Sequence, residues 1–234
     1  MISKPERIDT PAGPALLKRS PRRTLAISVL PDGTLELAAP ELATLPVILA
    51  KVAKRLAWLR AQRRNFAAMN TARPPLRYVS GATHRYLGRQ YRLKVIAGPE
   101  PAVALRGAFL HVTVPEKTET TVSEALRQWY RRRAQEQFTR RLTRWEEWCR
   151  THRLPQPRLR LRSMLKRWGS ASRDGSISLN PELVRAPSAC IDYVITHEIC
   201  HLKQPNHGPA FWLLLMQLCP NWTKLKVRLE ETGR

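Results

Sequence analysis

The stretch "ITHEICHLKQPNH", Ile195 to His207, holds three of the six histidines in this 234-residue chain. His197 and His201 are four residues apart, and Glu198 follows the first of them. On a helix, residues i and i+4 share a face with their β-carbons about 5–6 Å apart. Two imidazoles so placed converge on one metal ion at about 2.0–2.1 Å each. Glu198 lies one step, about a hundred degrees, around the helix from His197. Its carboxylate then sits beside the ion, where it can take a proton from a bound water, which is the physical content of H-E-x-x-H. Composition alone produces such a motif about once in a hundred chains of this make-up, so a bare solvated turn is the weaker reading.

The flanking residues support a rigid helical site. Pro187 opens a helix that runs to about Lys203, and Pro205 breaks it. Ile191, Val194 and Ile195 give that helix a face to bury. A catalytic tetrahedral zinc takes three protein ligands and leaves the fourth position to water. His207 is the candidate third ligand, because Pro205 and Asn206 can turn the chain back toward the ion. Glu230 and Glu231 compete for that place, although they require long-range docking that His207 does not. The spacing matches the metzincin pattern, but Gln204 stands where that pattern has glycine and Met216 falls within a helix. A Met-turn is not supported.

Bulk properties frame the rest. The chain is 43% hydrophobic and 25% charged, an ordinary globular balance. No apolar run reaches the roughly 18 residues of a membrane span. The first residues, "MISKPERIDTPAGP", lack the apolar centre of a secretory signal. A cytoplasmic protein with no membrane partner is the expectation. Cys149, Cys190, Cys200 and Cys219 are scattered, which fits reduced thiols better than a disulfide framework or a cysteine-based zinc site. Net charge is +23, with 31 arginines against 10 lysines. Such a field attracts polyanions, and arginine suits phosphate, so nucleic-acid association is one expected partnership and a solvated basic surface the blander alternative.

Along the chain, residues 1–20 read as a loose, proline-rich leader and 21–234 as one domain. Its parts are β-rich residues 21–115, a long helix over 123–150 opened by Ser123 and Glu124, and a metal-binding part over 158–234. "TLAISVLPDGTLELAAP" reads as a β-hairpin around Pro31-Asp32-Gly33. Residues 46–69 read as a basic helix with Ile48, Val52, Leu56 and Leu59 on one side, ended near Pro74-Pro75. Strands follow around turns at Gly81 and Gly88, then "AFLHVTVP" and "RLRLRSM"; "KRWGSASRDG" reads as a loop before "SISLN". Helices close the chain, and no internal repeat is visible. This order predicts an α+β fold.

With these residues in place, "RWGSASRDGSISLN" and "APSACIDYVITHEICHLKQPNHGPAFW" resemble the YgjP-like family of minigluzincin-type metallopeptidases, related in the metal-binding helix to SprT-like proteases. "RRTLAISVLPDGTLELAAP" and "YLGRQYRLKV" extend the resemblance over most of residues 22–232. It implies a zincin-like fold: a small mixed or antiparallel sheet, an active-site helix and C-terminal helices. It further implies a Zn2+ hydrolase with His197, His201 and His207 as metal positions and Glu198 as the catalytic one. Ala171 replaces the family's usual cysteine, and Ile199 replaces a leucine. The expected substrate is a protein or peptide. Some family members are described as nucleotide pyrophosphatases, which makes a nucleoside triphosphate such as UTP the alternative, although no G-x-x-x-x-G-K loop is present. A DNA-associated SprT-like protease, or a basic module with a structural zinc, are further alternatives.

Other residues carry two readings each. The Arg167–Ser170 segment can border a substrate cleft or serve structure, with Trp168 packing the core and Gly169 permitting a tight turn. Tyr193, one turn before His197, either polarises a substrate oxygen or packs. Cys200 reads as a buried thiol. His84, His111 and His152 stand alone as core or surface histidines.

Overall fold

In the computed structural model, residues 5–30, 32–71, 76–164 and 167–232 are described, with backbone alone for 65–71 and 232. Pro31, Pro74, Pro75 and Lys166, invoked above, lie outside these residues. The chain forms two compact units, Met1–Pro75 and Leu76–Arg234, where one domain over 21–234 was expected.

The first unit begins with strands β1 (Glu6–Thr10) and β2 (Gly13–Ser20), in place of the expected leader. Its proline and polar content concealed a period-two pattern: Ala15 and Leu17 are buried while their neighbours are not. Gly13, at φ +94°, makes the turn between the two strands. Strands β3 (Ala26–Val29) and β4 (Leu35–Pro40) form the expected hairpin, with Gly33 at φ +83°. The sheet order is β1-β2-β4-β3, with β2 and β4 parallel. The single basic helix becomes two, α1 (Leu45–Ala53) and α2 (Leu56–Thr71), divided where Arg55 N–H bonds back three residues to Val52 O. Ile48, Val52 and Leu59 still share one core with Leu17, Leu35 and Leu37.

The second unit opens with β5 (Thr83–Tyr86) and β6 (Arg89–Ala97), joined by Leu87 and Gly88 at φ +49° and +81°. Two positive φ angles in a two-residue loop are the hairpin geometry that matches strand twist. β7 (Ala102–Arg106), not anticipated from sequence, precedes β8 (Phe109–Val114), giving the order β5-β6-β8-β7. The first unit's sheet has the same connectivity, so the repeat is one of topology, carried by alternation and turns more than by residue identity.

Helix α3 (Glu119–Thr143) starts four residues ahead of Ser123, because the Thr118 side chain caps it by accepting from Thr121 N–H at 3.2 Å. It breaks before α4 (Glu146–Thr151). Strands β9 (Arg158–Leu161), β10 (Gly169–Ala171) and β11 (Ser176–Leu179) form a second sheet ordered β10-β11-β9. The segment expected as a loop thus contains an edge strand, too short to announce itself by alternation. A 3-10 turn, Pro181–Arg185, leads to α5 (Ser188–Lys203), α6 (Pro209–Leu218) and α7 (Trp222–Thr232). A single core, including Leu110, Leu126, Phe138, Ile177, Ile191 and Phe211, joins sheets and helices. The architecture is α+β with small mixed sheets. No described helix is long and apolar enough to cross a membrane.

Candidate metal centre

Helix α5 is held at both ends and along one face. Pro187 precedes it, and the tip of the β5–β6 hairpin docks there: Leu87 N–H donates to Val184 O at 2.9 Å and Gly88 N–H to Arg185 O at 3.1 Å. A β-carbon on Gly88 would come within 2.8 Å of Pro187 Cα, so only glycine allows this approach. Ile191, Ile195 and Ile199 are fully buried, which fixes the rotation of the helix. Buried Arg141 of α3 reaches Asp192 of α5 at 2.8 Å, an ion pair whose Nε–H is poorly aligned on the oxygen.

That rotation brings His197 and His201 side by side, their rings 4.9 Å apart between centroids. The helix ends at Gln204, in extended conformation, and the chain turns through Asn206 and Gly208 into α6. His207 is thereby returned to the helix, its ring 5.0 Å from His197 and 4.5 Å from His201. One donor atom from each histidine lies within 4.8 Å of the others. His207 Nε2 and His197 Nε2 are 3.0 Å apart, close to the roughly 3.3 Å that two ligands at 2.0–2.1 Å subtend in a tetrahedron.

The surrounding groups orient the rings. His201 Nδ1 lies 3.1 Å from Gln204 O; that carbonyl accepts from Nδ1–H, which keeps the proton on Nδ1 and leaves Nε2 its lone pair. Fully buried Phe211 packs against all three rings at 4.6 to 4.9 Å. The Trp212 indole N–H donates to His207 O at 3.0 Å. Burial, reinforced by the neighbouring histidines, lowers the pKa of His197 to about 3 and holds His207 below its usual range. Crowded imidazoles, with His197 and His207 held toward the neutral form, are the donor set that a borderline-soft divalent metal such as zinc prefers.

Glu198 is buried, 6% exposed. Its carboxylate lies against the backbone of β10: a β-carbon on Gly169 would sit 2.6 Å from Oε1 and 2.8 Å from Cγ. The Ala171 N–H donates to it. Trp168 O and Ser172 N bond toward β11, so by alternation the main-chain groups of Gly169 and Ala171 point to the outer edge, where Glu198 sits. Burial raises the Glu198 pKa to about 7, opposed by nearby Arg167 and by the Ala171 hydrogen bond.

The sequence profile of the YgjP-like metallopeptidase domain matches residues 23–232, nearly the whole chain. The chain belongs to the YgjP-like family. No curated protein matches it.

In this YgjP-like chain the other sequence candidates fall outside the triad. Glu230 and Glu231 are exposed on α7 and do not join the three histidines. Cys200 is fully buried, and burial pushes its thiol up to about 12. Tyr193 is buried, edge-on to His197 at 6.1 Å, with its phenol pushed up to about 12 by burial. His84 is buried, its Nε2 2.9 Å from Arg77 O; His111 is half-buried, and His152 is exposed and stacks on Trp148. Sequence reading missed Phe211, Trp212 and the Gln204 carbonyl as supports of the triad. It treated Gly169 as a turn residue, although no positive φ demands glycine there. The reason for glycine is space for Glu198.

Proposed function

We propose that this chain is a zinc-dependent metallopeptidase in which His197, His201 and His207 hold the metal and Glu198 is the catalytic base. The observation that carries this reading is three imidazole donors within 4.8 Å of one another, next to a carboxylate lodged on an edge strand. Zinc, when bound, supplies Lewis acidity, lowering the pKa of a water toward ~7 and polarising the scissile carbonyl. Glu198 accepts a proton from the attacking water as its oxygen bonds to the carbonyl carbon. The same carboxyl then delivers that proton to the leaving nitrogen as the C–N bond breaks. Gly169 and the Ala171 N–H hold the carboxylate in one orientation, so little entropy is lost at each transfer. The outward carbonyl of Ala171, whose N–H is already taken by Glu198, offers an extended peptide a hydrogen-bond acceptor beside that carboxylate.

The test compares zinc-loaded wild type with Glu198→Gln on an unfolded protein and on nucleoside triphosphates. Cleavage of peptide bonds by the wild type alone, with zinc content equal in both, is the expected result. Pyrophosphate release that depends on Glu198, with peptides left intact, would transfer the same machinery to nucleotides and overturn the peptidase reading.

A further inference from the structure

The β10-β11-β9 sheet has a second face that the proposed chemistry does not use. Leu159 and Leu161 of β9 pack against the core, so Arg158 and Arg160 project from the opposite face of the strand. The ladder continues one step further, with Arg162 N–H donating to Leu179 O at 3.0 Å, which adds Arg162 to the same side. All three arginines are exposed. Across the sheet, Arg160 is level with Ser178 and Ser170, and Arg158 with Ser176 and Ser172. This outer face is therefore a row of arginines bordered by the hydroxyls of Ser170, Ser172 and Ser178, Ser176 itself being buried.

The face is poor in anions. Between Glu147 and Asp174 the sequence has eight basic residues and no acidic one. Asp174 engages Arg158 at 3.3 Å, accepts from the Ser176 hydroxyl at 2.9 Å, and feels the charge of Arg160 without pairing directly with it. Among the described residues, the Arg160 and Arg162 side chains form no hydrogen bond or ion pair, and the hydroxyls of Ser170, Ser172 and Ser178 form no hydrogen bond. Helix α3 contrasts with this: Arg127 and Arg133 pair with Glu124 and Glu136, and Arg140 bonds Gln137. Its charge is partly neutralised in place.

We propose that this sheet face docks the sugar–phosphate backbone of a nucleic acid, with Arg160 and Arg162 as the principal phosphate contacts and the serine hydroxyls as secondary donors. Alternate residues on a strand are about 6.6–6.8 Å apart, comparable with the spacing of successive phosphates along an extended polynucleotide. Guanidinium groups and serine hydroxyls are the side chains that commonly hold phosphate oxygens without reading bases. Binding is therefore independent of sequence and strongly dependent on salt. The docked strand lies on the opposite face of the sheet whose free edge adjoins Glu198. The proposal does not depend on which bond Glu198 helps to break.

The experiment is fluorescence anisotropy of a labelled single-stranded oligodeoxynucleotide titrated with full-length protein over a range of salt. Arg160→Gln/Arg162→Gln should weaken binding about tenfold or more near 0.1 M salt and make the slope of log K against log salt shallower by about 1.4. Arg131→Gln/Arg132→Gln, which removes the same charge from the exposed side of α3, should leave most of the slope intact. Unchanged thermal midpoints verify that both variants are folded. An equal loss in the α3 variant would assign binding to bulk charge and overturn the proposal, as would absence of binding by the wild type. Displacement of the oligonucleotide by poly-glutamate with the same potency per charge would make the face a site for acidic protein, and would also overturn it.

Discussion

Gly169→Ala tests the link between β10 and the carboxylate of Glu198. The substitution adds one methyl group at a backbone that alanine can adopt, so the consequence is steric. The new β-carbon would stand 2.6, 2.8 and 2.9 Å from Oε1, Cγ and Cδ of Glu198, all inside the 3.0 Å that real β-carbons essentially never breach. To restore an ordinary 3.4 Å contact the carboxylate must retreat by about 0.8 Å, or α5 and β10 must separate. Overpacking of this kind costs about 1–3 kcal/mol, a fall of roughly 2–12 °C in thermal midpoint for a chain of this size. The effect on turnover is larger, because a catalytic group displaced by about 1 Å loses on the order of a hundredfold. The histidine rings are not among the atoms the methyl meets, so zinc content should stay at the wild-type level. Hydrolysis of an unfolded protein, zinc content and thermal unfolding are measured on the same preparations. Wild-type turnover with an unmoved midpoint would refute the idea that Gly169 exists to seat Glu198.

Two further outcomes follow from the same residues. A chelator should lower the thermal midpoint, because a metal at about a thousand times its Kd stabilises by ~4 kcal/mol, or roughly 8–16 °C here; His207→Ala should show little of this shift, and equal shifts in both proteins would place the metal elsewhere. His84 is held below its ordinary 6.5 mainly by burial, so as pH falls through about 6.5 the unfolded chain takes up a proton the folded chain refuses, and stability falls. Comparison of denaturant midpoints at about pH 7.5 and 5.5 should show a shallower loss in His84→Gln than in wild type, since the site histidines contribute alike to both; identical slopes would remove His84 from the linkage.

The site was legible in the sequence because its information is local. His197, Glu198 and His201 are placed by the helical repeat alone, and His207, ten residues after His197, by the break at Pro205, so spacing sufficed to foresee the cluster. The β3–β4 hairpin and the boundaries of α5 were legible for the same reason: alternation, a glycine turn and a proline each act within a few residues. The leader was misread because β1 is polar and flanked by prolines and β2 carries Pro14, and because β1 pairs with β2 while β2 pairs with β4, some twenty residues away.

What the sequence by itself determined is therefore the cluster of three histidines, the glutamate beside it and the α+β class. Tertiary structure alone decided that Glu198 rests on Gly169 of an edge strand, that Phe211 packs against all three imidazoles, and that the arginines of β9 share one face with Ser170 and Ser178. Periodicity reports which side of its own element a residue occupies. It says nothing about which distant element lies across from it, because packing and sheet register set that relation.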